Sequence, residues 1–215
     1  MEGQNKLIIF DCDGVLVDSE ILSVQVFQEL FSELRIPFAE KTIFETFIGR
    51  SNKSCLALLD KILVERELSS IEFWDEFCKR QFAYFPIKLK AVTGVEKLLK
   101  QLVESNVDYC LASSGNPEKI KLTLGICGLT KYFENRIFSA VEVKHGKPAP
   151  DLFLLAASRM GFASKDCLVI EDSIPGVEAA VAADMDVIAY CERNSSENFK
   201  DIQTVESMSE LTKLL

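Results

Sequence analysis

A four-residue apolar run, Leu7 to Phe10, stops at the turn Asp11-Cys12-Asp13-Gly14. No other feature constrains the fold as much. An unbroken apolar run this short, without polar alternation, marks a strand buried on both faces, as in a parallel sheet covered by helices. The turn that follows then lies at the carboxyl end of a strand, where open α/β sheets bind their ligands.

The periodicity changes at Ser19, which reads as an N-cap. Leu22, Val26, Leu30 and Leu34 recur at helical spacing, widened by Phe27 and Phe31. Helical character continues through Ile43 to Phe47, Leu56 to Leu63 and Phe73 to Phe82, without clear strands. After Pro86, strands and helices alternate. Gly94 to Glu104 reads as a helix and Val107 to Ala112 as a strand, with a helix from Glu118. Ile137-Phe138 reads as a short strand. Leu152 to Met160 and Val177 to Ala183 read as helices, Cys167 to Ile170 and Val187 to Tyr190 as strands. The expected fold is α/β: a doubly wound, Rossmann-like parallel sheet formed by residues 1–18 and 86–215, with an α-helical insertion over residues 19–85.

Charge narrows the partners. The chain has a formal net charge of -9, which argues against nucleic acid or an anionic membrane surface as a partner. An anionic substrate then needs positive charge concentrated locally, and a divalent cation supplies it. The seven cysteines are scattered without a C-x-x-C pair, so they read as reduced thiols rather than as a disulfide framework or a zinc site. Residues 1–6 have no signal-peptide pattern, and no apolar run reaches the ~18 residues of a membrane span. The expected location is the cytoplasm. His145 is the single histidine, so proton chemistry falls to carboxylates.

Polar residues gather after the strands. The first strand delivers Asp11 and Asp13. The strand ending at Ala112 delivers Ser113 and Ser114, followed by Asn116. A loop carries Lys147 before Pro148, and the strand ending at Ile170 delivers Glu171 and Asp172. Several acids in one cleft raise one another's pKa unless a cation intervenes, and magnesium suits a carboxylate and phosphate setting. Lys147 and the serine hydroxyls suit a phosphate. A calcium loop fits poorly, because the glycine is fourth and a strand rather than a helix precedes it. Each motif alone also reads as an ordinary turn or cap.

In this order the motifs resemble those of the haloacid dehalogenase superfamily of phosphotransferases, in the branch with a helical cap after the first strand. The resemblance rests on Phe10 to Ser19, Leu111 to Gly115, Gly146 to Asp151 and Val169 to Gly176. It implies a magnesium-dependent phosphatase acting on a small phosphorylated metabolite through an aspartyl-phosphate. Asp11 would be the nucleophile and Asp13 the acid and base. Mg2+ would be held by Asp11, Asp172 and the Asp13 carbonyl, with Glu171 acting through water. Ser113, Ser114 and Lys147 would hold the phosphoryl oxygens. Arg50, in the cap loop Gly49-Arg50-Ser51, would face the substrate, with Asn116 and Lys53 as further candidates.

A sugar phosphate or a phosphosugar acid such as 6-phosphogluconate is the expected substrate. Two alternatives stay open. A sugar-phosphate mutase of the beta-phosphoglucomutase kind would carry a cap histidine where this chain has Ser23. A regulator that binds a phosphometabolite would need no turnover. Phe73, Trp74 and Phe77 read as cap core or as a contact surface, leaving monomer and homodimer both open.

Overall fold

The structure is a computed structural model that describes residues 6–50, 52–192 and 196–215. Ser51 of the cap loop and the first five residues lie outside that description. The run Leu7–Phe10 forms β1, at the centre of a six-stranded parallel sheet among the described residues. The other strands are β2 (Tyr109–Ser113), β3 (Ile137–Ser139), β4 (Cys167–Glu171), β5 (Asp186–Tyr190) and β6 (Gln203–Val205). Their order across the sheet is β3-β2-β1-β4-β5-β6, with Ile9 paired to Cys110 on one side and Val169 on the other. The chain reverses its winding at β1, so the crevice where ligands bind opens beyond Phe10.

Alternation within the strands sorts the two faces. Ile8, Phe10, Leu111 and Ile170 turn towards α5 (Val95–Glu104), α6 (Pro117–Ile126) and α9 (Met208–Leu214), meeting Leu98, Leu102, Leu124 and Leu211. Leu7, Ile9, Cys110 and Val169 turn the other way, onto Leu152, Phe153 and Ala156 of α7 (Asp151–Met160) and Ala179 and Ala180 of α8 (Ile174–Ala182). Each large side chain buried this way contributes about 1.5–3 kcal/mol. The alanines of α8 let that helix lie close to the sheet.

Between β1 and β2 the chain forms α1 (Glu20–Glu33), α2 (Glu40–Phe47), α3 (Asn52–Leu63) and α4 (Ser70–Lys88). They bury an apolar cluster of their own, including Phe27, Phe31, Ile43, Phe47, Leu59, Phe73 and Phe77. Phe27 stacks on Phe77 at 4.3 Å and on Phe47 at 4.4 Å. Phe73 and Phe77 are thus interior, as the first of their two readings has it. The block leaves and rejoins the sheet layer side by side, where the Asp18 N–H donates to the Lys90 carbonyl at 2.9 Å.

Three features differ from the periodicity reading. Helix α4 runs through Pro86 to Lys88, because Phe85 and Leu89 are buried in the sheet-side core and hold the last turn in place. The strand expected from Val107 begins at Tyr109, since the Val107 N–H still donates to the Leu102 carbonyl at the end of α5. Finally, β6 and α9 carry no strong sequence signal. Gln203-Thr204-Val205 is a three-residue edge strand and α9 has seven residues.

Candidate active site

Lys147 is the hub of the site. Its side chain is 2% exposed, and its Nζ donates to Asp11 Oδ1 at 2.5 Å, Glu171 Oε1 at 2.6 Å and the Ala112 carbonyl at 3.3 Å. It therefore ties together the ends of β1, β2 and β4. Burial works against its charge, but the facing carboxylates of Asp11 and Glu171 outweigh burial and raise its pKa. Burial raises the Asp11 carboxyl to about 7 despite the opposing Lys147 ammonium.

The loop after β2 is built to present donors. Ser113 Oγ accepts from the Gly115 N–H at 3.0 Å, and the Ser139 hydroxyl donates to the Gly115 carbonyl at 2.6 Å. Ser114 Oγ is buried in the cavity wall with no hydrogen-bond partner among the described residues. An unsatisfied buried hydroxyl costs stability, and a ligand oxygen would satisfy it. Asn116 Oδ1 caps α6 by accepting from the Lys119 N–H at 2.8 Å, while the residue also lines the cavity. Both oxygens of Glu171 are engaged, since Oε2 accepts from the Ser173 N–H at 2.7 Å and hydroxyl at 2.9 Å.

Asp13 brings in two residues that sequence reasoning did not assign to the site. The Ser19 hydroxyl donates to Oδ1, and Lys119 Nζ donates to Oδ2 at 2.9 Å. Burial alone would raise the Asp13 carboxyl, yet Lys119 and Ser19 outweigh it and lower its pKa. Ser19 does occupy the N-cap position of α1, but its side chain makes no cap bond. A third residue, Glu20, is 4% exposed, and its Oε2 has no hydrogen-bond partner among the described residues. Burial, with Asp13, Asp11 and Glu171 nearby, raises its carboxyl to about 8 against an opposing hydrogen bond with Asp172. Asp172 is likewise raised, by burial first and then by Glu20, Glu171 and Asp11.

Gly14 makes this crowding feasible. Its φ is +82°, and a Cβ there would lie 1.8 Å from Asp172 Oδ2, so only glycine lets the turn pass beneath the carboxylate. Gly49, with φ +73°, has the same role on the opposite wall: a Cβ would lie 2.6 Å from Ser173 Cβ. The loop carrying Arg50 is thereby seated on the loop after β4.

The cavity so enclosed is about 120 Å³. Its sheet side holds Asp11, Asp13, Ser113, Ser114, Asn116, Lys147, Glu171 and Asp172. Its helical side holds Phe27, Phe47, Trp74, Phe77 and Phe82, with Ser23, Gln81 and Arg50 as polar members. Gln81 donates to Ser23 Oγ at 2.6 Å, and Ser23 Oγ donates to the Ser19 carbonyl at 3.0 Å. Asp11, Asp13, Ser113, Ser114, Asn116, Lys147, Glu171 and Asp172 are thus brought together, with Arg50 exposed at the margin. Lys53 does not line the cavity. His145 is exposed, with Nδ1 3.2 Å from Asp151 Oδ1, and also stays outside.

Five acids (Asp11, Asp13, Glu20, Glu171 and Asp172) face three cationic side chains, Lys147, Lys119 and the marginal Arg50, in this cavity. That imbalance fits a bound cation, as does the upward displacement of Asp11 and Asp172. Among the described residues no three acid, thiol or imidazole side chains form a ready-made metal cluster.

The doubly wound parallel sheet thus carries a carboxylate-lysine site at the ends of its central strands. The profile of the haloacid dehalogenase-like hydrolases matches residues 5–184, and the chain belongs to that family. It is 27% identical over 188 residues to the 6-phosphogluconate phosphatase of Escherichia coli K12, covering 86% of this chain and 82% of that one. It is 35% identical over 191 residues to a probable pseudouridine-5'-phosphatase of Drosophila melanogaster, covering 84% and 79%. A solved structure of a haloacid dehalogenase-like protein of unknown function from Agrobacterium tumefaciens superposes with a TM-score of 0.84 at 30% identity, covering 98% of this chain and 97% of that one. These relationships make the chain a phosphatase of this family. None of its seven cysteines is paired, and no helix among the described residues is long and apolar enough to cross a membrane.

Proposed function

We propose that this chain is a magnesium-dependent phosphatase that transfers the phosphoryl group of a small metabolite to Asp11 and then to water. The observation that carries this reading is the convergence of Asp11, Asp13, Lys147, Asp172 and the unpartnered Ser114 hydroxyl on one cavity. Asp11 attacks phosphorus, forming an O–P bond as the bond to the leaving oxygen breaks, and Asp13 gives that oxygen a proton. Asp13 then takes a proton from the water that attacks the aspartyl-phosphate, which restores Asp11. Lys147, Ser113 and Ser114 hold the phosphoryl oxygens and offset their charge. Asp11, Asp172 and the Asp13 carbonyl would hold Mg2+, which when bound neutralises charge on the phosphoryl group. Glu171, with both oxygens engaged, stands behind this set.

Residues 19–85 act as a cap on a core of residues 1–18 and 86–215, and contacts from the cap select the leaving group. A sugar phosphate or phosphosugar acid fits the polar members Ser23, Gln81 and Arg50 of the cap wall. The E. coli relative's substrate makes 6-phosphogluconate the first compound to try. The mutase reading is weaker, because Ser23 is a hydroxyl engaged with Gln81 rather than an imidazole.

The test is phosphate release from sugar phosphates, phosphosugar acids and nucleoside 5'-monophosphates, with Mg2+ or with chelator. Turnover that needs Mg2+ is expected, and release unaffected by chelator would refute the metal assignment. An absence of release from every ester would overturn the reading, with isomerisation of beta-glucose 1-phosphate checking the mutase.

Stability should report the same charge balance. In the metal-free protein Asp11, at about 7, and Glu20, at about 8, keep protons that the unfolded chain releases near the ordinary carboxyl values of 3.8 and 4.5. The unfolded state thus binds fewer protons between roughly pH 4 and 8, so stability falls as pH rises through that window. Thermal melts in chelator should give a lower Tm at pH 8 than at pH 5.5, and Mg2+ should narrow the gap. A metal-free Tm that rises over this range would contradict the raised carboxyls.

A further inference from the structure

Lys119 lies outside the motifs that define the site, yet it is the residue that grips Asp13. Its Nζ is within 2.9 Å of both Asp13 oxygens and donates to Oδ2, while the Ser19 hydroxyl donates to Oδ1. The two grips come from different helices, Lys119 from the first turn of α6 and Ser19 from the start of α1. Neither residue serves its own helix by doing this. A cation in the first turn is disfavoured by the positive end of the helix dipole, and Ser19 gives up a cap bond.

We propose that Lys119 is a positioning residue that fixes the Asp13 carboxylate for proton transfer to and from the reacting oxygens, with Ser19 holding the second carboxylate oxygen. The proposal rests on the reading of Asp13 as the acid and base. An ammonium can only donate, whereas a hydroxyl either donates or accepts. Lys119, 2.9 Å from both oxygens, therefore holds the carboxylate in place as an acceptor, while the Ser19 hydroxyl on Oδ1 turns to suit either protonation state. The proton passes from Asp13 to the leaving oxygen as the P–O bond breaks. Another returns to Asp13 from water as the aspartyl-phosphate is hydrolysed. Lys119 loses no proton in either step. Its contribution is orientation, which counts because small displacements of a catalytic group cost rate steeply.

An acid that protonates the leaving oxygen matters for an alkyl ester and little for p-nitrophenyl phosphate, whose leaving group departs as a stable anion. The experiment measures kcat/KM for both esters in wild type, Lys119→Met, Asp13→Asn and the double variant, with folding checked by thermal melts. Lys119→Met should lower the alkyl value by about 100-fold, within the range of general acid catalysis, and the aryl value by less than about threefold. The double variant should be no slower than Asp13→Asn, because both changes remove one function. Lys119→Arg should recover most of the alkyl activity.

Equal losses on the two esters, or losses that multiply in the double variant, would overturn the proposal and make Lys119 a direct phosphate ligand. Ser19→Ala should show the same ester dependence, so the test survives a Lys119→Met protein that fails to fold. A wild-type protein that releases phosphate from neither ester overturns the phosphatase reading itself, and this inference with it.

Discussion

Asp11→Asn should abolish phosphate release, with kcat falling by at least about 10⁴-fold, the scale on which loss of a covalent nucleophile is felt. The substitution exchanges one carboxylate oxygen for an amide nitrogen of nearly the same size. Lys147 then keeps Glu171 at 2.6 Å and the Ala112 carbonyl at 3.3 Å, so the loops remain tied and the fold survives. The expected protein is folded, inactive and still able to bind its substrate. Circular dichroism and a thermal melt check the first property, and rapid-quench assays with labelled phosphate ester check that no phosphoprotein forms. A variant that kept a tenth of wild-type turnover would rule out Asp11 as the nucleophile.

Lys147→Met should have the largest effect on stability. Asp11 and Glu171, 8% and 1% exposed at the side chain, would lose the ammonium between them. Removing one partner of a buried charge pair costs about 3–5 kcal/mol, because the remaining charge stays buried without compensation. For a chain of this size that lowers Tm by on the order of 10 °C. The deficit should shrink at acidic pH, where the stranded carboxyls take up protons. Activity should vanish as well, since the same ammonium holds the phosphoryl oxygens. An unchanged Tm in chelator would show that Lys147 does not compensate these acids.

The sheet and the sheet-side half of the site were legible because their signals are local. Leu7 to Phe10 is apolar on both faces, and each strand end is followed at once by its polar residues, so Asp11, Ser113 and Asp172 could be placed without knowing what packs where. Lys119 and Asp13 are 106 positions apart, and Lys119 looks like any lysine that follows a helix-starting proline. Glu20 reads as a first-turn acid favoured by the helix dipole. The turn at Gly14 packs against both Asp172 and Glu20, a closeness that no local pattern announces. Ser19 takes the N-cap position its sequence suggests, but its hydroxyl bonds Asp13 instead, because a hydroxyl at a helix start has a choice of partners that depends on tertiary structure. Strand β6 was missed because a three-residue polar edge strand is formed by its neighbour β5 rather than by its own pattern.

Trp74 is the only tryptophan in the chain, and it stacks on Phe77 at 5.0 Å in the wall of the cavity that holds Asp11. All of the protein's indole emission therefore originates in the wall of its site. A ligand entering the cavity displaces water beside that ring, and a movement of α4 alters its stacking. Occupancy can thus be followed by intrinsic fluorescence in the unlabelled protein, with non-hydrolysable esters as readily as with substrates.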